Sequence, residues 1–475
     1  MRAVELKDVS FSYGGEKQVL NHVSFTAEHG EVTLLIGPSG CGKSTLLSIL
    51  SGIIPNITVG NLTGQVSVDG ESILNLGTDE ICRKVGIVLQ NPEAQIVHKR
   101  VEDEIAFGLE NIGLAEEKIA SQIDTVCEMM ELDKNWQTRT LSGGQKQRLV
   151  TASTLAMGQK VIVLDEPLAN LDQTGGRELM ELLKNLAGHG YAVIVVEHRV
   201  DMVLPYADSL WAMENGTVHK IEDKETYLNT STQKIEDTLP EYQSQEDLFS
   251  LENISYRVVG REVLKDVTFS VPKDARTVIL GENGCGKTTL LRLIARLNRP
   301  TRGKIIQTLD TRFDRHSKPD KKWFQSVGVV YQNPNYQLFM PTVYQEVRFG
   351  AASDEYAEEI MERFSISHLR DRHPQSLSEG QKRRVSIAAI AATQPKVLLL
   401  DEPTVGQDYQ GLKELVELLN ELHQKTGCTM ITVTHDVRCA EALCDKAVLI
   451  EGGTVKKQGG KGLVRKYFGV EKQAR

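Results

Sequence analysis

The chain has 475 residues, of which 40% are hydrophobic and 25% charged, and a formal net charge of −9. That length suits two ordinary domains with cores of their own, in a composition typical of soluble globular chains. The acidic total excludes a global basic field for nucleic acid, and no apolar run approaches the ~20 residues that span a bilayer. Residues 1–10 carry Arg2, Glu5, Lys7 and Asp8 and lack a secretory apolar core, so the chain is expected in the cytosol, free to dock on a membrane protein. Its cysteines, Cys41, Cys82, Cys127, Cys285, Cys428, Cys439 and Cys444, are odd in number and form no Cys-x-x-Cys, so they read as reduced thiols.

In chain order, residues 32–36 are a short apolar run that predicts a buried strand ending at Gly37. Gly37-Pro38-Ser39-Gly40-Cys41-Gly42-Lys43-Ser44 then fits the P-loop pattern, and residues 45–50 predict a helix with an apolar face. Backbone N–H groups of such a loop point at phosphate oxygens, aided by the positive end of the following helix. Lys43 places a compact charge on the β- and γ-phosphates, and Ser44 offers a hydroxyl to Mg²⁺. Residues 161–164 and 192–196 predict further buried strands, the first ending at Asp165-Glu166. There the first carboxylate suits Mg²⁺ and the second suits orienting or deprotonating a water. Leu141-Ser142-Gly143-Gly144-Gln145 reads as a helix N-terminus and a second anion grip.

Residues 220–247 are polar and broken by Pro240, as a linker should be. Beyond them the kit is repeated. Residues 249–256 restate residues 4–13, and Gly281-Glu282-Asn283-Gly284-Cys285-Gly286-Lys287-Thr288 is a second P-loop. Residues 277–280, 397–400 and 429–433 predict its strands, with Asp401-Glu402 as the carboxylate pair and Leu377-Ser378-Glu379-Gly380-Gln381 as the second pentapeptide. The two copies lie 244 residues apart at Lys43 and Lys287, 242 at Gln90 and Gln332, 236 at Asp165 and Asp401, and 237 at His198 and His435. This is a domain duplication, not a short repeat. The expected boundaries are residues 1–235 for the first domain, 236–247 for the linker and 248–475 for the second. Continuous apolar strands alternating with helices predict α/β domains with mainly parallel sheets and helices on both faces. The run Lys382-Arg383-Arg384 reads as a solvated or nucleotide-facing helix start.

The pentapeptides ahead of Asp-Glu strands resemble the signature of ATP-binding cassette (ABC) ATPases, across nearly the whole chain, twice. The resemblance implies two P-loop NTPase domains, each with an antiparallel β part and a helical signature subdomain. It implies head-to-tail pairing within the molecule, with ATP and Mg²⁺ gripped between one P-loop and the other half's signature. The implied phosphate contacts are residues 37–45 and 281–289, which end in Thr45 and Thr289, with Ser142, Gly144 and Gln145 and with Ser378, Gly380 and Gln381. Tyr13 and Tyr256 match the adenine-stacking aromatic; Gln90 and Gln332 match the Q-loop glutamine that contacts Mg²⁺ and water. His198 and His435 match the switch histidine, and Asp172 and Asp408 the D-loop aspartate. Ser44, Gln90, Asp165, Thr288, Gln332 and Asp401 are the implied metal set, and Glu166, Glu402, Gln90, Gln332, His198 and His435 the implied catalytic set. Glu379 in place of the usual glycine, and the D-loop of residues 405–408, depart from the pattern and bear on whether the two sites are equally active.

Gln90-Asn91-Pro92-x-x-Gln95 followed by Val101, Glu104, Phe107 and Gly108, and Gln332-Asn333-Pro334-x-x-Gln337 followed by Val343, Glu346, Phe349 and Gly350, resemble the ATPases of energy-coupling factor (ECF) vitamin and metal importers. That implies a peripheral protein on the cytoplasmic face of the membrane. Its implied partners are a transmembrane coupling protein and a separate membrane protein that captures substrate. Ile96, Val97, Leu338, Phe339 and Met340 are expected to line a groove for a partner helix, ordinary core packing being the alternative. Other readings left open are a fused ATPase for sugar or peptide import and a soluble twin-cassette translation factor, which the acidic charge disfavours.

Overall fold

The computed structural model describes every residue except 16–17, 170, 225–226, 228–234, 236, 238, 240–245, 259, 310–318 and 470–475. The chain divides into two compact units, Met1–Gln233 and Lys234–Arg475.

The strands of the first unit are β1 (Arg2–Ser12), β2 (Leu20–Glu28), β3 (Val32–Ile36), β4 (Asn61–Val68), β5 (Glu71–Ser72), β6 (Val85–Val88), β7 (Val161–Asp165), β8 (Ala192–Val196), β9 (Ser209–Glu214) and β10 (Thr217–Lys220). One sheet runs β10-β9-β3-β8-β7-β6, parallel except for the β9–β10 edge pair; a smaller antiparallel sheet runs β2-β1-β4-β5. All of β3 and β8 is buried, because both faces of the large sheet are covered. Side chains alternate between those faces, as strand geometry requires. Val32, Leu34, Ile36, Ile162 and Leu164 join the helices Val101–Asn111, Gly143–Ala156 and Gln173–Gly188 in one core. Leu35, Val161, Val163 and Ile194 join the helix Lys43–Leu50 and the antiparallel sheet in another.

The second unit repeats this with β11 (Asp247–Val258), β12 (Arg261–Pro272), β13 (Arg276–Leu280), β14 (Arg302–Gln307), β15 (Val327–Val330), β16 (Val397–Asp401), β17 (Thr429–Val433), β18 (Lys446–Glu451) and β19 (Thr454–Gly459). Its sheets run β12-β11-β14 and β15-β16-β17-β13-β18-β19; the large sheet has the same order as in the first unit, and the antiparallel one has three strands among the described residues in place of four. Each unit is therefore an α/β P-loop domain with an antiparallel part and a helical subdomain. The latter comprises Val101–Asn111, Glu116–Met129 and Gly143–Ala156 in one unit, and Val343–Gly350, Asp354–Arg363 and Glu379–Ala391 in the other.

Much of the expected linker, including Glu236, Thr238, Pro240 and Glu241, lies outside the described residues. Two neighbours do not behave as linker. Ile235 is buried in the second unit's core. Asp237 takes two hydrogen bonds from the buried Arg276 guanidinium (2.9 and 3.0 Å) and one from Lys461 (2.6 Å). Among the described residues no helix is long and apolar enough to cross a membrane.

Candidate active site

In each unit the central strand runs into the phosphate loop, and the loop into a helix beginning at its lysine. The close approach of neighbouring backbone explains the first glycine. A Cβ on Gly37 would lie 2.2 Å from the Met213 carbonyl oxygen, and one on Gly281 would lie 2.3 Å from that of Ile450. Lys43 is buried, and its Nζ donates to the carbonyls of Gly37 (2.7 Å) and Pro38 (2.9 Å). Lys287 does the same to Gly281 (2.7 Å) and Glu282 (2.8 Å). Both ammonium groups are thus held against the loops that would cradle phosphate. Cys41 and Cys285 are buried beside them, and burial pushes both thiols up, which disfavours the thiolate form needed for redox chemistry.

The carboxylate pairs sit beside these loops. Asp165 and Asp401 end β7 and β16, and Glu166 and Glu402 follow in left-handed backbone (φ 46° and 50°), an unusual conformation for glutamate that orients both acids. Glu166 accepts from Gln90 Nε2 (2.6 Å) and lies 3.1 Å from His198 Nε2. Glu402 accepts from the backbone N–H of His435 (3.1 Å) and lies 3.2 Å from its Nε2, which also sits 3.0 Å from Asn283 Oδ1 of the loop. The structure therefore gathers glutamine, glutamate and histidine into one cluster in the first unit, and glutamate, histidine and P-loop asparagine in the second. Gln332 stands exposed.

Burial, reinforced by the adjacent glutamate, raises Asp165 and Asp401 to about 6. A divalent cation fits this environment. Thr288 Oγ1 donates to Asp401 Oδ1 at 3.1 Å, and Ser44 presents its exposed side chain at the matching place. Among the described residues no cluster of three or more His, Cys, Asp or Glu could hold a metal alone. A hydroxyl–carboxylate pair suits Mg²⁺, which keeps waters and takes its remaining ligands from phosphate.

The signature serines each start a helix. Ser142 Oγ accepts from Gln145 N (3.3 Å) while Gln145 Oε1 accepts from Ser142 N (2.9 Å); Ser378 and Gln381 repeat the box at 3.3 and 3.1 Å. Gly144 and Gly380 lie in the first turns. Glu379 is paired with Lys382 at 3.1 Å, which offsets its charge locally. Asp172 and Asp408 cap the helices that follow them, through Gly175 N (2.8 Å) and Gly411 N (2.7 Å). The Tyr13 hydroxyl is 2.9 Å from Thr45 Oγ1, its ring half exposed and edge-on to Phe11, whereas Tyr256 packs against the core. Ser39, Gly40, Pro38 and Gly42 lie in the first loop; Asn283, Gly284, Gly286 and Thr289 lie in or just after the second.

Three sequence expectations change. The run at 382–384 is not a solvated face: Lys382 and Arg383 are buried, because the helix Glu379–Ala391 packs this side onto the sheet. Leu338 belongs to the core, not to a groove. Ile96 also packs mainly against the core, leaving Val97 and Phe339 outward (66% and 68% exposed). Glu197, absent from the expected set, is buried beside the site, and burial raises it to about 8; the one sequence signal that could have found it is its position next to His198.

A family model described as "ABC transporter" matches residues 20–169 and 264–405. The chain belongs to the ABC transporter family. It is a tandem-cassette ABC ATPase. A Bacillus subtilis relative named "Putative HMP/thiamine import ATP-binding protein YkoD" is 33% identical, over 94% of this chain and 89% of that protein. A Treponema denticola relative named "Putative ABC transporter ATP-binding protein" is 32% identical, over 96% of each. The ribosome-bound archaeal ABCE1 structure aligns with a TM-score of 0.71 at 22% identity, over 98% of this chain and 80% of that one, a likeness of fold alone.

Proposed function

We propose that this ABC ATPase powers uptake through a membrane transporter of the ECF vitamin or metal-ion class. The observation that carries the reading is a pair of outward apolar patches, each just after a Q-loop. Val97 is 66% exposed and Phe107 46%; Phe339 is 68% and Phe349 73%, the last two packed edge to face. The spacing around them, repeated in both halves, has a physical basis. The buried carboxylates of Glu104 and Glu346 accept from the N–H groups of Val97 and His98 (2.9 and 2.7 Å) and of Phe339 and Met340 (3.0 and 2.7 Å). Gly108 and Gly350 leave room for Met157 and Thr393. A membrane subunit's helix would dock on these patches. The 33% identical relative's name, which includes import, points the same way.

In this reading each P-loop and its lysine bind ATP, and Tyr13 and Tyr256 take the adenine. Ser44 with Asp165, and Thr288 with Asp401, would hold Mg²⁺, aided by Gln90 and Gln332, and the ion would supply screening of phosphate charge. Glu166 and Glu402 position and deprotonate the attacking water. His198 and His435 touch the γ-phosphate, and Ser142 and Ser378, with Gly144, Gln145, Gly380 and Gln381, grip it from the opposite cassette. A nucleotide held from both sides favours a closed pair. About 5.5 kcal/mol of differential binding moves such a balance from 1:99 to 99:1. The test is Glu166→Gln and Glu402→Gln made singly, with the proteins that co-purify identified. Each substitution should remove its own site's share of turnover, and a hydrophobic membrane subunit should co-purify. Wild-type turnover in either variant refutes hydrolysis at that site; ribosomal RNA in place of a membrane subunit refutes transport.

A further inference from the structure

Arg383 is a guanidinium taken almost wholly out of water, 3% exposed, five residues beyond Ser378 of the second signature. Its Nη1 donates to the Tyr331 carbonyl at 2.8 Å, and its Nε has no hydrogen-bond partner among the described residues. A buried charge so sparsely hydrogen-bonded costs several kcal/mol, which is hard to explain by stability. Acidic groups lie within electrostatic range of it. Glu379, Glu402 and Asp401 act on it electrostatically and help it stay charged, while burial lowers it only to about 10. Tyr331, whose carbonyl it holds, directly precedes Gln332. In the first unit the matching residue, five beyond Ser142, is the buried but neutral Gln147.

We infer that Arg383 is a positioning residue of the second site. It ties the signature helix Glu379–Ala391 to the backbone that enters the Q-loop, and it sets a positive charge within electrostatic range of the Asp401-Glu402 pair. The first site has a neutral amide at this place, so the two sites are built to work unequally. This rests on the hydrolysis reading above.

The experiment uses the full chain carrying Glu166→Gln, so that turnover reports the second site. Adding Arg383→Gln copies the first unit's own residue, which fits the same helix. We expect kcat to fall about tenfold with the KM for ATP within about twofold, and the melting temperature to hold or rise. Arg383→Lys, which restores charge without the planar fork, should recover part of the rate. A kcat within about twofold of the parent overturns the inference. So does a loss that tracks a falling melting temperature, which would mark a core residue only. Turnover that survives when Glu402→Gln is added to Glu166→Gln overturns the hydrolysis reading itself, and this inference with it.

Discussion

Asp165→Asn should stabilise the metal-free first cassette while abolishing its function. The carboxyl is largely withdrawn from water at the end of β7 beside Glu166, and this desolvation raises it to about 6. An unfolded aspartate titrates near 3.9. At pH 7 the acid is ionised in both states, and keeping it ionised inside the fold costs about 3 kcal/mol. The direction follows from the raised value. Between pH 4 and pH 6 the folded chain holds a proton that the unfolded chain has lost, so acidification through this window relieves the cost. Asparagine has the same shape, carries no charge and removes the cost at every pH. Hydrogen exchange of the β7 amides in the presence of a chelator reads this locally. The opening constant of Asp165→Asn should be about a hundredfold below wild type at pH 7, narrowing to about tenfold at pH 5. ATPase activity of the first site should vanish, because the amide no longer offers Mg²⁺ a charged oxygen. A variant less protected than wild type at pH 7, or equally displaced at both pH values, refutes the reasoning. The first result would mean that the ionised carboxylate is a structural anchor.

Other expectations are shorter. Glu346→Ala removes the buried acceptor of the Phe339 and Met340 N–H groups and should lower the second unit's stability by about 3 kcal/mol in denaturant titration; Glu346→Gln, which keeps an acceptor, should cost less. Phe339→Ala with Phe349→Ala touches exposed rings, so stability should move by no more than about 0.5 kcal/mol. The basal ATPase of that variant should be unchanged, while recovery of the membrane subunit on affinity purification falls. Asp237→Ala leaves Arg276 with Asp445 and Asn420 but no longer fully compensated; a loss of about 3 kcal/mol is expected, read as a lowered unfolding midpoint. At subsaturating Mg²⁺ turnover should decline as pH falls through about 6, because protons compete with the cation at Asp165 and Asp401, and added Mg²⁺ should restore it.

What was legible in the chain was what local pattern controls. Continuous apolar runs reveal β3, β7, β8, β13, β16 and β17, because a strand buried on both faces tolerates little else. P-loop glycines are legible because only a residue without Cβ fits under Met213 and Ile450. The meeting of Gln90 with Glu166, 76 residues apart, is set by strand order, and in the sequence only the family resemblance, which assigns both to the attacking water, pointed toward it. Where a residue's environment depends on another element, reading failed. Lys382-Arg383-Arg384 has the composition of a surface, yet the helix turns Arg383 inward onto the carbonyl that ends β15's approach to the Q-loop. Asp237 has the composition of a linker, yet Arg276 at the start of β13 claims it. Leu338 and Phe339 are adjacent and alike in polarity, and in a loop without period nothing local decides which faces the core. In a duplicated chain the comparison of halves supplies what periodicity cannot. Gln147 against Arg383 and Glu197 against Thr434 are substitutions at matched, buried places near Glu166 and Glu402, where side-chain charge bears on the proposed chemistry more than on folding. Two sites with one fold and opposite choices at those places are poised differently, so their rates should differ even with both glutamates intact.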